Sequence, residues 1–239
     1  MTVDLLLLPT EMELEGLLGP WLKSRQAFLE PAERGAPAWA RPRTLKWRDL
    51  ECAVAITGVG IAAAAASSSL WFSLTRCKRA LLAGVVGTYR SDELAPGSAL
   101  VASEVHCLGI GALNGEDVEP LPFADLSAEI AGKEVRGPIL CDHSWIADPK
   151  SARPLLTVCA ASGSRSDASR RSRLFPQAAA EDMESYGVAL AATLHDFRLA
   201  VVRGISNVAG DRDHSRWCLE KALESCLPSV ERWLSWSGR

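Results

Sequence analysis

Most of what would tie this chain to a charged polymer, a membrane or a metal is missing from its sequence. The net charge is −3, so no general basic surplus draws it to nucleic acid. The longest apolar region, Ile61 to Gly87, is cut by Arg76, Lys78 and Arg79, which leaves no stretch able to span a bilayer. The opening Thr2-Val3-Asp4-Leu5-Leu6-Leu7-Leu8-Pro9 lacks the basic lead and small-residue cleavage site of a secretion signal, and reads instead as a buried strand. The seven cysteines (52, 77, 107, 141, 159, 218 and 226) are odd in number and never spaced as CxxC, as expected of small core residues in a reducing cytoplasm. His214 and Cys218 can share a helix face, but no further ligands stand at metal spacing, so no zinc site is expected. There is no GxSxG elbow, and no GxGxxG continues from Gly58-Val59-Gly60.

What is present is core. With 239 residues, 48% hydrophobic and 23% charged, the chain suits one globular domain over residues 1–239. The leucine run ends at Pro9. Thr10-x-x-Glu13 then forms a capping box ahead of Leu14, Leu17, Leu18, Trp21 and Leu22 at helical spacing. Pro31 to Pro42 reads as a surface excursion. Thr44 to Trp47 and Cys52 to Ile56 read as strands turning at Arg48-Asp49, and Ile61 to Thr75 as a helix. Ala80 to Ala83 is a short strand closed by Gly84-Val85-Val86-Gly87, and a further strand begins at Gly97 to Ser103. Later come a strand at Leu155 to Cys159, a basic helix at Arg165 to Arg173, and strand–helix–strand over Ala178 to Asp182, Ser185 to His195 and Leu199 to Arg203. A last helix, Trp217 to Trp236, is expected to break near Pro228. Alternating strands and helices predict a three-layer αβα fold around a central mixed sheet, with ligands at the carboxyl ends of strands.

Glu13, Gly58, Gly87, Ser162, Glu184, Ser206 and Asn207 all follow predicted strand ends and converge on one composite site. Glu184 is either a favourable charge at a helix start or a carboxylate that accepts two vicinal sugar hydroxyls. Arg203 closes an apolar strand, where a guanidinium must be paired; Glu13 and Glu184 are the candidates. Glu13 is expected either to cap its helix or to reach into the cleft, since one carboxylate cannot do both at once. Asn207 is either a turn residue before Gly210 or an amide that donates to a purine 6-oxo group. Arg165, Arg170, Arg171 and Arg173, without interleaved aromatics, read as a solvated helix face. His106, His143 and His195 read as structural.

Met183-Glu184 followed by Val202-Arg203-x-Ile205-Ser206, with Gly58-Val59-Gly60 and Gly84-x-x-Gly87 upstream, resembles the nucleoside phosphorylase and nucleosidase superfamily over nearly the whole chain. Phe175-Pro176-Gln177-Ala178 is similar to methylthioadenosine/S-adenosylhomocysteine nucleosidases. The string Arg203-Gly204-Ile205-Ser206-Asn207-x-x-Gly210-x-Arg212-Asp213-x-x-x-Trp217 resembles the futalosine hydrolase branch, as do Thr10-x-x-Glu13-x-Glu15 and Gly84-Val85-Val86-Gly87-Thr88-Tyr89. The resemblance implies a cofactor-free enzyme that cleaves a nucleoside, assembled as a homo-oligomer. It implies that Glu13 and Arg203 position water, Glu184 holds the ribose hydroxyls and Met183 packs on the sugar. Val85, Val86 and Gly87 would line the ribose and base cleft, Ala161 and Ser162 would offer backbone to the purine, and Ser206 would orient neighbouring side chains near Asn207. Adenosine-cleaving nucleosidases carry an acid where Asn207 stands. An amide cannot protonate the base, which leaves solvent, Asp211 or Asp213 as the proton source. Ser185-Tyr186 also departs from the small residues usual there and would alter packing or a subunit contact. The carboxylate of futalosine calls for an arginine at the mouth, Arg212 or Arg90. Arg90 and the Gly58 turn are also the candidates for phosphate in a phosphorylase.

Overall fold

The computed structural model describes residues 4–31, 42–75, 79–114, 117–120, 128–135, 137–146 and 148–236. The excursion expected over Pro31 to Pro42 lies almost entirely outside them. The strands are β1 (Asp4–Leu8), β2 (Phe28–Glu30), β3 (Arg43–Trp47), β4 (Leu50–Ile56), β5 (Arg79–Thr88), β6 (Ala99–Leu108), β7 (Gly111–Asn114), β8 (Asp117–Pro120), β9 (Ala128–Ile130), β10 (Lys133–Val135), β11 (Ile139–Leu140), β12 (Arg153–Val158), β13 (Ala180–Asp182) and β14 (Arg198–Val208). The helices are α1 (Glu11–Arg25), α2 (Ile61–Leu74), α3 (Arg165–Leu174), α4 (Ser185–Leu194) and α5 (Leu219–Ser235).

The leucines of β1 show how the layers form. Side chains alternate along a strand, so Leu5 and Leu7 enter a core with Trp71 and Phe72 of α2 and Val188 of α4. Leu6 and Leu8 enter a second core with Leu14, Leu17 and Trp21 of α1 and Val230 and Trp233 of α5. Helices thus cover both faces of a central mixed sheet, as the alternation predicts. The buried ring of Tyr186 belongs to the first core, so its departure from a small residue is absorbed by packing.

The sheet runs β11-β6-β12-β13-β5-β1-β4-β3-β2, and β14 pairs with β5 and β6. The pairings β5–β14–β6–β12–β13–β5 therefore close on themselves, curling this half of the sheet into a ring. Strand β5 is the hinge of this arrangement. It pairs with β1 only through Leu82, and farther along, at Gly87 and Thr88, with β13. Between those partners one edge of β5 is open at Val85, and the site forms there.

The structure corrects three expectations. Strand β5 does not end at Ala83 but continues through both glycines to Thr88. Strand β14 runs past Arg203 to Val208, with a register shift between Ile205 and Asn207. Helix α5 passes through Pro228 without a break. The short strands between β6 and β12 carry no periodic signal strong enough to be read in advance.

Candidate active site

Glu13 stands in the first turn of α1, on the open edge of β5. Its Oε1 accepts the Val85 N–H at 3.1 Å, and its Oε2 accepts the Thr10 hydroxyl at 2.7 Å. Thr10 in turn caps the helix by accepting the Glu13 N–H at 3.2 Å. Of the two expected alternatives Glu13 takes the cleft: the threonine alone caps, and the glutamate, held by that same hydroxyl, faces the cavity.

Arg203 is fully buried on β14. Its hydrogen-bonded carboxylate is one not named from the sequence, Asp182, whose Oδ2 lies 2.6 Å from Nη2, while the expected partner Glu184 forms a looser ion pair. Glu184 Oε2 is farther, at 3.7 Å, and the Ser185 hydroxyl accepts from Nη2 at 3.1 Å. Burial alone disfavours the charged guanidinium, but the Asp182, Glu184 and Glu13 carboxylates outweigh it and hold its pKa above the ordinary arginine value. Nη1 has no hydrogen-bond partner. It points at Gly84, where a Cβ would lie 2.3 Å from Nη1 and 2.8 Å from Glu13 Oε1. Only glycine leaves room between these two groups, which explains a glycine inside a strand.

Glu184 sits between β13 and α4, and its Oε1 accepts the Gly60 N–H at 3.0 Å. Burial and the nearby Asp182 charge push its pKa up to about 7, against the opposing pull of Arg203 and the Gly60 N–H. Asp182 is itself saturated: besides Arg203 it accepts from the Thr157 hydroxyl at 2.7 Å, the Ser185 N–H at 3.0 Å and the Ser185 hydroxyl. Sequence reasoning missed Asp182. The signal was present in three carboxylates within four residues, Glu181-Asp182-Met183-Glu184, set against one arginine at a strand end.

These groups border a cavity of about 180 Å³, whose lining also includes Val85, Val86 and Gly87 of β5 and Met183 after β13. Its far wall comes from Ala161 and Ser162, after β12, and from Ser206 and Asn207 on β14. The register shift at Ser206 is a bulge that re-aims side chains toward the cavity. The Ser206 hydroxyl lies 3.0 Å from the Val86 carbonyl and 2.7 Å from Asn207 Oδ1. The Asn207 amide nitrogen donates to the Val208 carbonyl at 2.9 Å. A carbonyl can only accept, so the amide is oriented with its oxygen toward Ser206. Arg212 and Trp217 stand at the exposed mouth, the guanidinium 5.2 Å from the ring centroid.

Several expected positions fall elsewhere. Gly58 is not in the lining; its N–H bonds the Pro9 carbonyl at 3.0 Å, and the neighbouring Gly60 meets Glu184 instead. Ser162 cannot offer its N–H to a ligand, because Glu181 Oε1 accepts it at 2.7 Å. Arg171 is not on a solvated face: its Nη1 lies 3.0 Å from the buried Glu181 carboxylate. Arg90 donates to the Pro176 carbonyl and lies 3.8 Å from Glu93. Asp211 and Asp213 are outside the lining and share Arg216, at 2.8 and 3.2 Å. The Ser215 hydroxyl holds the Asp213 carboxyl below its ordinary pKa, so near neutral pH it carries no proton to give the base. Of the three histidines read as structural, His106 bonds Glu104, His195 bonds Ser69 and His143 bonds the Cys141 carbonyl. Among the described residues no group of three or more His, Cys, Asp or Glu is arranged to hold a metal, and no helix is long and apolar enough to cross a membrane.

Known proteins share this arrangement of chain. A futalosine hydrolase from Acidothermus cellulolyticus is 32% identical over 133 residues, 53% of each chain. One from Streptomyces coelicolor is 30% identical over 150 residues, 62% of this chain and 61% of that protein. The match thus spans between about half and three-fifths of these relatives' length. The structure of futalosine hydrolase from Helicobacter pylori strain 26695 superposes with a TM-score of 0.73 at 16% identity, covering 97% of this chain and 96% of that one. A methylthioadenosine/S-adenosylhomocysteine nucleosidase from Colwellia psychrerythraea 34H, solved with adenine, gives 0.73 at 16%, covering 98% and 95%. At that identity the likeness is one of fold. The family's sequence pattern itself matches residues 40–232, from β3 to α5, and so takes in every wall of the cavity except Pro9 and Glu13; on that match the chain belongs to the Phosphorylase superfamily.

Proposed function

We propose that the chain is a nucleosidase of the futalosine hydrolase type, which uses water to cleave the N-ribosidic bond of futalosine and release hypoxanthine and dehypoxanthine futalosine on the route to menaquinone. One observation carries the reading: a buried arginine Nη1 without a partner faces the Glu13 carboxylate across the bare backbone of Gly84. That pair suits a water molecule, accepting from the guanidinium and donating to the carboxylate. Breaking the bond builds positive charge on the ribose, which the Glu13, Asp182 and Glu184 carboxylates favour electrostatically. Glu184, when ionised, accepts the two ribose hydroxyls, and Met183 packs against the sugar. As the bond between the anomeric carbon and the base breaks, the water oxygen bonds to that carbon, its proton passes to Glu13, and the base leaves with the bonding electrons and takes a proton from solvent at its ring. No cofactor enters the scheme, and the named relatives support the substrate.

A phosphorylase or a methylthioadenosine-type nucleosidase are the other readings. Phosphate beside Glu13 would meet a carboxylate, and Arg90, its expected ligand, is engaged elsewhere. Asn207, an amide where the adenosine-cleaving nucleosidases carry an acid, cannot protonate the base, which speaks against the methylthioadenosine reading. Homo-oligomeric assembly is part of the proposal. The test is base release from futalosine, inosine and methylthioadenosine in phosphate-free buffer, followed by chromatography. Hypoxanthine from futalosine is expected. Adenine from methylthioadenosine, or turnover only after phosphate is added, overturns the reading.

A further inference from the structure

Glu181 takes no part in that chemistry, yet it is buried and lines the cavity. Its Oε2 receives three donors: the Tyr89 hydroxyl at 2.6 Å, the Ser162 hydroxyl at 2.8 Å and Arg171 Nη1 at 3.0 Å. Its Oε1 receives one, the Ser162 N–H at 2.7 Å. An ionised carboxylate offers about four lone-pair directions, two on each oxygen. Oε2 is therefore saturated, whereas Oε1 keeps one lone pair. Because that oxygen covers the Ser162 N–H, this wall presents an acceptor where the loop backbone would have presented a donor. Asn207, the other polar group of the wall, has its amide ends engaged with Val208 and Ser206.

We propose that Glu181 is a specificity-determining residue that reads the leaving base, its Oε1 accepting the N1–H of a 6-oxopurine. The inference rests on the cavity being a nucleoside site. Ring nitrogen N1 carries a hydrogen in a 6-oxopurine and a lone pair in a 6-aminopurine, so a fixed acceptor attracts the first and repels the second. A site built to bond an N–H discriminates strongly against a ligand that lacks it, because its buried polar group is left unpaired. Arg171 and Tyr89 hold the carboxylate in place, so the acceptor is preformed.

The experiment is calorimetric binding of hypoxanthine and 1-methylhypoxanthine, which lacks the N1–H, to the wild-type chain and to Glu181→Gln. The wild type is expected to prefer hypoxanthine by tenfold or more. Glu181→Gln is expected to weaken hypoxanthine about tenfold or more and to leave 1-methylhypoxanthine unchanged, so that the preference collapses. Equal losses for both bases would make Glu181 a scaffold residue and overturn the proposal. If the variant does not fold, the wild-type ratio decides, and a preference under tenfold overturns it. Free-base binding needs no turnover, which separates this inference from the hydrolase reading. Binding with the N1–H preference but no base released from futalosine defeats the hydrolase. Turnover of futalosine without the preference defeats the role of Glu181.

Discussion

The two ends of the cavity are built on opposite terms. At the end near Glu13, one guanidinium serves three carboxylates, one of its nitrogens has no partner, and Glu184 is pushed up to about 7. At the far end, Glu181 has four donors, one of them the Arg171 guanidinium. A charge-rich, incompletely paired cluster is costly unless something completes it; water and a developing positive charge do so. A carboxylate anchored by four donors, with one lone pair left on Oε1, resists movement and suits recognition. The contrast assigns chemistry to one end and selection to the other.

The harshest test of that division is Glu13→Gln. The amide oxygen still accepts from Val85, and the amide nitrogen can donate to the Thr10 hydroxyl in place of accepting from it, so the fold should hold, but the amide cannot take a proton from water. A loss of about 10³-fold in kcat is expected in single-turnover experiments, within the range for removal of a general base. A loss under tenfold would end the division. Next comes Gly84→Ala. The new methyl must push against Arg203 Nη1 at 2.3 Å and Glu13 Oε1 at 2.8 Å, and neither can move without disturbing Asp182 or Val85. A fall of about 10²-fold in kcat/KM is expected from such misplacement. Gly19→Ala, inside α1 with nothing within 4 Å of the added carbon, should leave activity unchanged and raise Tm slightly, since alanine is favoured over glycine in a helix by about 1 kcal/mol.

Glu184 sharpens the comparison through pH. Its carboxyl must be ionised to accept both hydroxyls, so kcat/KM should rise as pH increases through about 7 and level above it. Glu184→Gln should lower the rate and flatten that limb. Stability moves the other way. The folded value, about 7, exceeds the ordinary 4.5, so the stabilisation from this group is full below about 4.5 and lost as pH rises through about 7. The variant should therefore lose less Tm between pH 5 and 8 than the wild type, on the order of a few degrees less.

The layers were legible because they rest on local pattern: four leucines before Pro9, a capping threonine, and apolar residues at helical spacing. The ring closure was not, because it depends on which edge of β5 is left open once β1 stops at Leu8, a matter of strand length and not of composition. The same holds for the site. Glu13, Glu184 and Arg203 stood out as charges at strand or helix ends. Asp182 and Glu181 did not, since adjacent residues of a strand face opposite ways and only the fold shows which cavity or partner each one meets. Gly58 was chosen over Gly60 because the turn residues are indistinguishable until one N–H finds a carboxylate.

The mildest expected effect lies at the mouth, where neither end's logic applies. Arg212 is exposed and stacks on Trp217, whose indole N–H is fixed on the Asp211 carbonyl at 3.0 Å, while Arg216 nearby is held by Asp211 and Asp213. Arg212 is thus the arginine in the lining still able to receive an anion, and its aromatic support suits a flat, carboxylated appendage on the nucleoside. Exposed charge contacts are worth little, so Arg212→Ala should raise KM for futalosine only by about tenfold and leave kcat intact. Inosine, which has no such carboxylate, should show no change, and Arg216→Ala should affect neither substrate. An equal rise in KM for both nucleosides would mean that Arg212 merely orders the Trp217 loop, and the mouth would then join the recognition end as part of its scaffold.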